Sequence, residues 1–149
     1  FKVSRDPADV LVTYSLGSCV GVTLFDPVAK VGGMIHSMLP LSKQSPESAA
    51  RRPLMYVDTG LSELLKTLFD LGATRGNIVA KVAGCSGMID DKNMFKIGER
   101  NLAVTRKVLW KNDIIIAGQD TGDCKPRTMR LFVGNGRTTV HSRNEEIDI

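Results

Sequence analysis

The sequence contains few of the residues that mark several common protein classes. Aromatic residues make up only 5% of the 149 residues, whereas proteins that bind single-stranded nucleic acid stack bases on aromatic side chains. The net charge of +4 comes from scattered lysines and arginines, which favours a solvated surface over a nucleic-acid interface. No apolar run approaches the roughly 20 residues of a membrane-spanning helix. We therefore expect an ordinary globular protein, without a nucleic-acid partner and without membrane insertion.

Cysteine and histidine are scarce as well. The chain has three cysteines, Cys19, Cys85 and Cys124, and two histidines, His36 and His141. The cysteine count is odd, and no CxxC pair or Cys/His cluster is present, which argues against a disulfide framework and a structural zinc site. We expect reduced thiols, a cytoplasmic location and neither a metal nor a cofactor.

Hydrophobic periodicity predicts an α/β fold. Two amphipathic helices are expected within residues 58–73 and 97–113, where apolar residues recur three and four positions apart. Asp58 or Thr59 is the expected N-cap of the first helix, and Gly72 its end. Strands are predicted at 9–13, 19–26 and 30–39, within 77–88 and 113–122, and as a hairpin within 127–142. Such helices must cover an apolar sheet face, so we expect a single-domain layered α/β sandwich over residues 1–149, with a mixed, mostly antiparallel sheet and two main helices.

The segment 40–53 shows neither the helical nor the strand periodicity of hydrophobic residues. Residues 40–53 are polar and contain three prolines. They are predicted to form a surface loop, and the loop is a candidate lid.

Cys19 lies at the exit of a turn of small residues, "SLGSC", and at the start of a predicted strand. If this strand and the next form a hairpin around residues 27–29, paired residue numbers sum to 55 or 56. Cys19 then lies opposite His36 or Ser37, and on the same sheet face as His36 if the sum is 55.

A histidine beside a cysteine points to nucleophilic catalysis. His36 could take the thiol proton and later deliver it to a leaving group. Backbone N–H groups of the 16–19 turn could stabilise a developing oxyanion, and Thr13, at the end of the preceding strand, could orient the imidazole. Together these groups favour acyl transfer through a thioester.

Purely structural roles are alternatives for all of these residues. A cysteine at a strand start is often a small buried hydrophobe, and His36 could be a core histidine. Cys85 also follows a strand into a turn but has no histidine nearby in the sequence. Cys124 is expected to be a surface thiol, and His141 a structural residue.

The triplet Asp-Thr-Gly occurs twice, at 58–60 and 120–122. Two such triplets suggest an aspartic-protease dyad. However, the first leads directly into a leucine-rich helix, and a two-lobed protease needs a much longer chain. We therefore interpret residues 120–122 as a turn after a buried strand.

Several motifs together resemble one bacterial family, the chemoreceptor glutamine deamidases CheD. The motifs are T-x-x-L-G-S-C at 13–19, DPVAKVGGMIHSMLP at 26–40, KVAGCSGM at 81–88, IGERN at 97–101 and QDTGD at 119–123. They follow the family's order and cover nearly the whole chain.

The resemblance implies a function and a catalytic set. The family's cysteine, histidine and threonine correspond to Cys19, His36 and Thr13. The implied fold is similar to that of glutamine-deamidating bacterial toxins, and the implied reaction hydrolyses glutamine side chains on chemoreceptor helices to glutamate. Many members bind the chemotaxis phosphatase CheC, which is therefore an implied partner. A non-catalytic adaptor that binds a receptor or CheC, and a different thiol hydrolase such as a peptidase, are the alternatives.

Overall fold

The computed structural model describes residues 1–87 and 96–149; Met88, the last residue of the motif at 81–88, lies outside them. The first half of the chain forms β1 (Lys2–Ser4), β2 (Val10–Leu16), β3 (Val20–Asp26), β4 (Val31–Ser37), α1 (Pro46–Arg51) and α2 (Val57–Asp70). The second half forms β5 (Val79–Gly84), α3 (Ile97–Lys111), β6 (Ile116–Thr121), β7 (Arg127–Phe132), β8 (Thr138–Ser142) and β9 (Glu145–Asp148).

The strands form two sheets. One has five strands in the order β1-β4-β3-β5-β6, and the other has four in the order β2-β7-β8-β9. Only β5 and β6 pair in parallel, because α3 lies between them in the chain and provides the crossover that parallel neighbours need. The layered α/β fold with a mixed, mostly antiparallel sheet and two main helices, α2 and α3, is therefore confirmed.

The five-stranded sheet is covered on both faces. Its central strand β3 is buried along its whole length. Alternate side chains point to a helix-side core and to a core between the two sheets. The helix-side core contains Val20, Val22, Leu24, Ile35, Leu61 and Leu64, and the inter-sheet core contains Leu16, Phe25, Met34, Met129 and Leu131.

The sequence-based strand predictions miss two strands. β1 and β9 have three and four residues, and β9 is exposed throughout, so neither shows an alternating hydrophobic pattern. Among the described residues, no helix combines the length and the apolar character needed to cross a membrane.

The predicted register of the β3–β4 hairpin is wrong by one or two residues. Gly21 pairs with His36 and Asp26 with Val31, so paired residue numbers sum to 57 rather than 55 or 56. The reason is a four-residue turn: the Asp26 carboxylate accepts the N–H groups of residues 28 and 29 at 2.8 and 2.9 Å. Lys30 closes the turn in the left-handed region, with φ 52°.

The 40–53 segment is more ordered than predicted. It contains α1 between two short 3-10 helices, Ser42–Gln44 and Pro53–Met55. Asp58 is not the N-cap of α2, because that position belongs to Tyr56. Instead the Asp58 carboxylate accepts the backbone N–H of Ser42 at 2.9 Å and its hydroxyl at 2.7 Å. This carboxylate anchors the segment to the start of α2.

Candidate active site

The structure brings Thr13 and His36 into direct contact from different sheets. Thr13 lies on β2 of the four-stranded sheet and His36 on β4 of the five-stranded sheet. Thr13 Oγ1 and His36 Nδ1 are 2.9 Å apart, a hydrogen-bond distance. If Nδ1–H donates to the hydroxyl, the lone pair of Nε2 is left free to accept a proton.

Cys19 is a diagonal neighbour of His36 rather than its direct partner. His36 pairs with Gly21, and Cys19 precedes Gly21 by two residues, which puts it on the same side of the sheet. Both residues face the second sheet, and Cys19 packs against the inter-sheet core. Within residues 1–87 and 96–149, no hydrogen bond joins the thiol to the imidazole. The prediction that Cys19 and His36 lie on the same face of the sheet is therefore right. The predicted pairing, with Cys19 directly opposite His36 or Ser37, is wrong.

The backbone around Cys19 is held by the 84–87 turn. The carbonyl of Cys19 accepts the N–H of Cys85 at 2.8 Å, and the carbonyl of Gly17 accepts the N–H of Ser86 at 2.9 Å. Within the described part of the chain, the N–H groups of Gly17, Ser18 and Cys19 donate to no backbone carbonyl. The N–H group of Cys19 interacts with the sulfur of the same residue.

Burial acts on both Cys19 and His36. It raises the pKa of the Cys19 thiol, an effect that the backbone N–H of the same residue partly offsets. It also lowers the pKa of His36 below its ordinary value. In each case burial favours the uncharged form of the side chain.

An open groove lies beside these residues. Its volume is about 360 Å³, and it is lined by Phe1, Lys2, Val10, Leu11, Val12, Thr13, Met34 and His36. Two exposed apolar side chains adjoin the site in sequence, Tyr14 and Met38. Thr13 and His36 both line this groove, and Cys19 is not among the lining residues.

The remaining thiols and the second histidine lie elsewhere. Cys85 belongs to the helix-side core, on the other face of the five-stranded sheet from Cys19, and burial is the main cause that raises its pKa to about 12. Cys124 is exposed. His141 pairs with Thr128 in the four-stranded sheet.

The two Asp-Thr-Gly triplets do not form a pair. Asp58 binds Ser42, whereas Asp120 forms a bidentate ion pair with Arg127, with Nε–Oδ2 and Nη2–Oδ1 distances of 2.9 and 3.1 Å. The Arg127 guanidinium is the main reason that the pKa of Asp120 is lowered. Each carboxylate has a local structural partner, so a protease dyad is not formed.

Sequence reasoning misses two buried polar residues near the site. Arg127 is 2% exposed and donates to Ser86 Oγ at 2.8 Å, which fixes the turn that holds Cys19. Asn101 lies on the buried face of α3 and donates to the carbonyl of Ser18 at 2.9 Å. The sequence does contain one indication that Asn101 is buried: it lies at helical spacing from Gly98, Thr105 and Leu109, which form the buried face of α3.

No metal-binding arrangement is found in the part of the chain that the structure describes. In particular, no group of three or more His, Cys, Asp or Glu side chains there is placed to hold a metal ion.

Alkylation of Cys19 should show the raised pKa directly. Because the thiolate is the reactive form, we expect iodoacetamide to label Cys19 slowly at pH 7, with a rate that still rises above pH 9. The measurement is the rate of modification between pH 6 and 10, read by mass spectrometry on separate peptides. Exposed Cys124 is the internal control. A plateau for Cys19 between pH 6 and 8 would show a preformed thiolate and contradict this account.

Gly84 is expected to be essential for the geometry of the Cys19 turn. Its φ is +96°, and a Cβ there would lie 2.3 Å from the carbonyl oxygen of Cys19. The variant Gly84→Ala should lose about 1–3 kcal/mol of stability from the backbone conformation alone and should displace the Cys19 carbonyl. Gly87→Ala is the matched control, since among residues 1–87 and 96–149 the nearest neighbour of its Cβ would be the carbonyl oxygen of Asp123, at 4.0 Å. Urea unfolding of both variants would test this, and equal stabilities would refute it.

Comparisons with known proteins agree on one family. A family model described as CheD chemotactic sensory transduction matches residues 38–142. A relative from Syntrophus aciditrophicus, named probable chemoreceptor glutamine deamidase CheD 1, is 44% identical over 142 residues, which are 95% of this chain and 89% of the relative. A probable chemoreceptor glutamine deamidase CheD from Solibacter usitatus is 39% identical over 148 residues, 99% of this chain and 88% of the relative. The family range begins after Thr13, Cys19 and His36, but these two alignments span nearly the whole chain. The chain belongs to the CheD family.

Proposed function

We propose that this chain hydrolyses glutamine side-chain amides of chemoreceptors to glutamate and ammonia, and so acts in chemotaxis. Its relatives are named chemoreceptor glutamine deamidases, that is, enzymes that act on protein glutamine. The observation that carries the proposal is the 2.9 Å contact between Thr13 and His36, together with the hairpin register that makes Cys19 a diagonal neighbour of His36. We further propose that residues 1–149 act as one deamidase domain in the cytoplasm.

In the proposed reaction, His36 Nε2 takes the proton of the Cys19 thiol as the sulfur attacks the glutamine carbonyl carbon. The C=O double bond opens to an oxyanion, which the N–H groups of Gly17, Ser18 and Cys19 stabilise. The oxyanion collapses, the C–N bond breaks, and His36 returns the proton to the departing ammonia. Water then attacks the thioester, which releases glutamate and restores the thiol.

The proposed reaction can start from an uncharged Cys19 thiol and an uncharged His36 imidazole. Burial favours the neutral forms of Cys19 and His36, so proton transfer accompanies the attack instead of preceding it. Thr13 holds Nδ1, which keeps Nε2 as the atom that accepts the proton. No step needs a metal or a cofactor.

We propose that a receptor helix is the substrate and that it lies along the groove beside Thr13 and His36. The groove is lined by residues of β1, β2 and β4, His36 among them, and exposed Tyr14 follows Thr13 directly in the chain. The phosphatase CheC is the proposed regulatory partner. The anchored 40–53 segment follows β4 directly and would border the bound helix.

A second candidate is an adaptor that binds a receptor or CheC without catalysis. The observation that favours it is the register of the β3–β4 hairpin, in which His36 pairs with Gly21 and not with Cys19, so that the base is not directly opposite the thiol whose proton it has to take. The two candidates differ in one measurable product, the glutamate formed on the receptor.

Peptide mass spectrometry of a chemoreceptor cytoplasmic fragment from the same organism tests the proposal. The fragment is incubated with the protein or with Cys19→Ala and then digested. We expect conversion of specific glutamines to glutamate in an intact chain, and none with the variant. Binding without conversion would overturn the proposal in favour of the adaptor, and a cut main chain would overturn it in favour of a peptidase.

A further inference from the structure

Asn101 connects the two chain segments that carry Cys19 and His36. The residue lies in α3, and its side chain is wholly buried. Its Nδ2 group donates to the carbonyl of Ser18 at 2.9 Å and to the carbonyl of Met38 at 3.1 Å. Ser18 immediately precedes Cys19, and Met38 follows His36 by two residues. One amide group therefore bonds to the backbone on both sides of the site.

The orientation of this amide is determined by its partners. Both carbonyls can only accept hydrogen bonds, so the NH2 group and not the oxygen must face them. Asn101 Oδ1 is buried, and no group among the described residues donates to it. A buried acceptor without a donor is unfavourable, so packing alone would favour an apolar residue at this position. The two donated hydrogen bonds are the feature that only the amide supplies.

The backbone of α3 leaves Asn101 little freedom to move. Gly98, one turn earlier in the helix, touches the same turn that holds Cys19: a Cβ at this position would lie 2.5 Å from the carbonyl oxygens of both Cys85 and Ser86. Since Cys85 and Ser86 themselves donate to the Cys19 and Gly17 carbonyls, the helix, the 84–87 turn and the Cys19 turn form one packed unit.

We propose that Asn101 is a positioning residue that sets the distance between Cys19 and His36 by holding the Ser18 and Met38 carbonyls. The proposal rests on the proposed function. Asn101 is buried behind the site and does not contact the substrate. Its loss should therefore slow the chemical step and leave substrate binding nearly unchanged.

The test compares Asn101→Ala and Asn101→Ser with Thr105→Val in the full chain. Thr105 is the matched control because it lies one turn further along α3, is equally buried, and donates only to the backbone carbonyl of Asn101 at 2.8 Å. Since a displacement of about 1 Å can cost about 100-fold in rate, we expect kcat to fall about 100-fold in both Asn101 variants with KM changed less than about 3-fold. Thr105→Val should stay within about 3-fold of the unmodified protein in both constants. The Asn101→Ser variant guards against a folding failure of Asn101→Ala.

Labelling with iodoacetamide gives a second readout that does not depend on turnover. Loosening of the Cys19 turn should expose the thiol, so Cys19 should be labelled faster at pH 7 while turnover falls. Cys85 should stay protected because its side chain is packed in the helix-side core, and exposed Cys124 should be labelled as before.

The outcomes separate this inference from the proposed function. If the unmodified protein converts no glutamine, the proposed function fails, and the labelling rates alone decide whether Asn101 controls the surroundings of Cys19. If kcat and Cys19 labelling in the Asn101 variants match those of Thr105→Val, the inference is overturned. It is also overturned if Cys85 becomes labelled together with Cys19 in both Asn101 variants, because opening of the helix-side core would show that Asn101 stabilises the packing of α3 in general and does not position the site.

Discussion

Replacing Cys19 with alanine should reduce glutamine deamidation by at least about 10⁴-fold, which is the scale seen when an enzyme loses its nucleophile. The substitution removes the sulfur atom that forms the thioester and leaves His36 without a proton to accept. The fold should survive, because Cys19 is only partly buried at the edge of the inter-sheet core. The measurement is the initial rate of glutamate formation on a receptor fragment, with the thermal midpoint recorded for the same sample.

The same substitution at the exposed thiol is the matched control. Cys124 is exposed and lies outside both cores, so Cys124→Ala should keep full activity. If activity survives in Cys19→Ala and disappears in Cys124→Ala, the nucleophile is Cys124 and the assignment of Cys19 is wrong.

The second large effect is expected at His36. Because general acid–base catalysis contributes about 10²- to 10⁴-fold, His36→Ala should lower kcat by that amount.

Thr13→Val keeps the shape of the side chain but removes the hydroxyl bonded to Nδ1, and should lower kcat about 10- to 100-fold through misplacement of the ring. Thr13→Ser restores the hydroxyl and should recover most of the loss. Equal activity of Thr13→Val and Thr13→Ser would show that the hydrogen bond has no catalytic role.

The pH dependence of the rate should follow from the same two groups. Burial lowers the pKa of His36, so the imidazole remains a base to lower pH than a free histidine, and the acid limb of kcat/KM should lie below about pH 6.5. Burial raises the pKa of Cys19, so kcat/KM should show no change near pH 7 from ionisation of the thiol. In Thr13→Val the acid limb should shift, because the hydrogen bond at Nδ1 is gone.

Local patterns were sufficient to predict most of the elements. The helices at 58–73 and 97–113 appear as α2 and α3 because their apolar residues recur at helical spacing. The register of the β3–β4 hairpin was not predictable from the strands alone. It depends on the Asp26 carboxylate, whose bonds to two backbone N–H groups lengthen the turn by one residue and move Cys19 from opposite His36 to a diagonal position.

The candidate site combines local and distant contributions. Cys19 and His36 lie in one hairpin, so counting residues was enough to bring them together. Thr13 reaches His36 from the other sheet, through the pairing of β2 with β7 more than a hundred residues later. No local pattern reports such a pairing. Thr13 is predicted from the resemblance and from the end of the predicted strand at 9–13, whereas in the structure it lies inside β2. Asn101 was missed because the buried face of α3 also contains Gly98 and Thr105, and helical spacing carries no indication of which carbonyls a polar side chain on that face will meet.

Trapping the covalent intermediate tests the central claim most directly. The protein is mixed with a receptor fragment, quenched in acid within one turnover, and analysed by intact-mass and peptide mass spectrometry. The account predicts an adduct whose mass is that of the two chains less one ammonia, located on Cys19, cleaved by hydroxylamine and absent from Cys19→Ala. Glutamate formation by Cys19→Ala at an undiminished rate, or an adduct on Cys85 or Cys124 in place of Cys19, would contradict it.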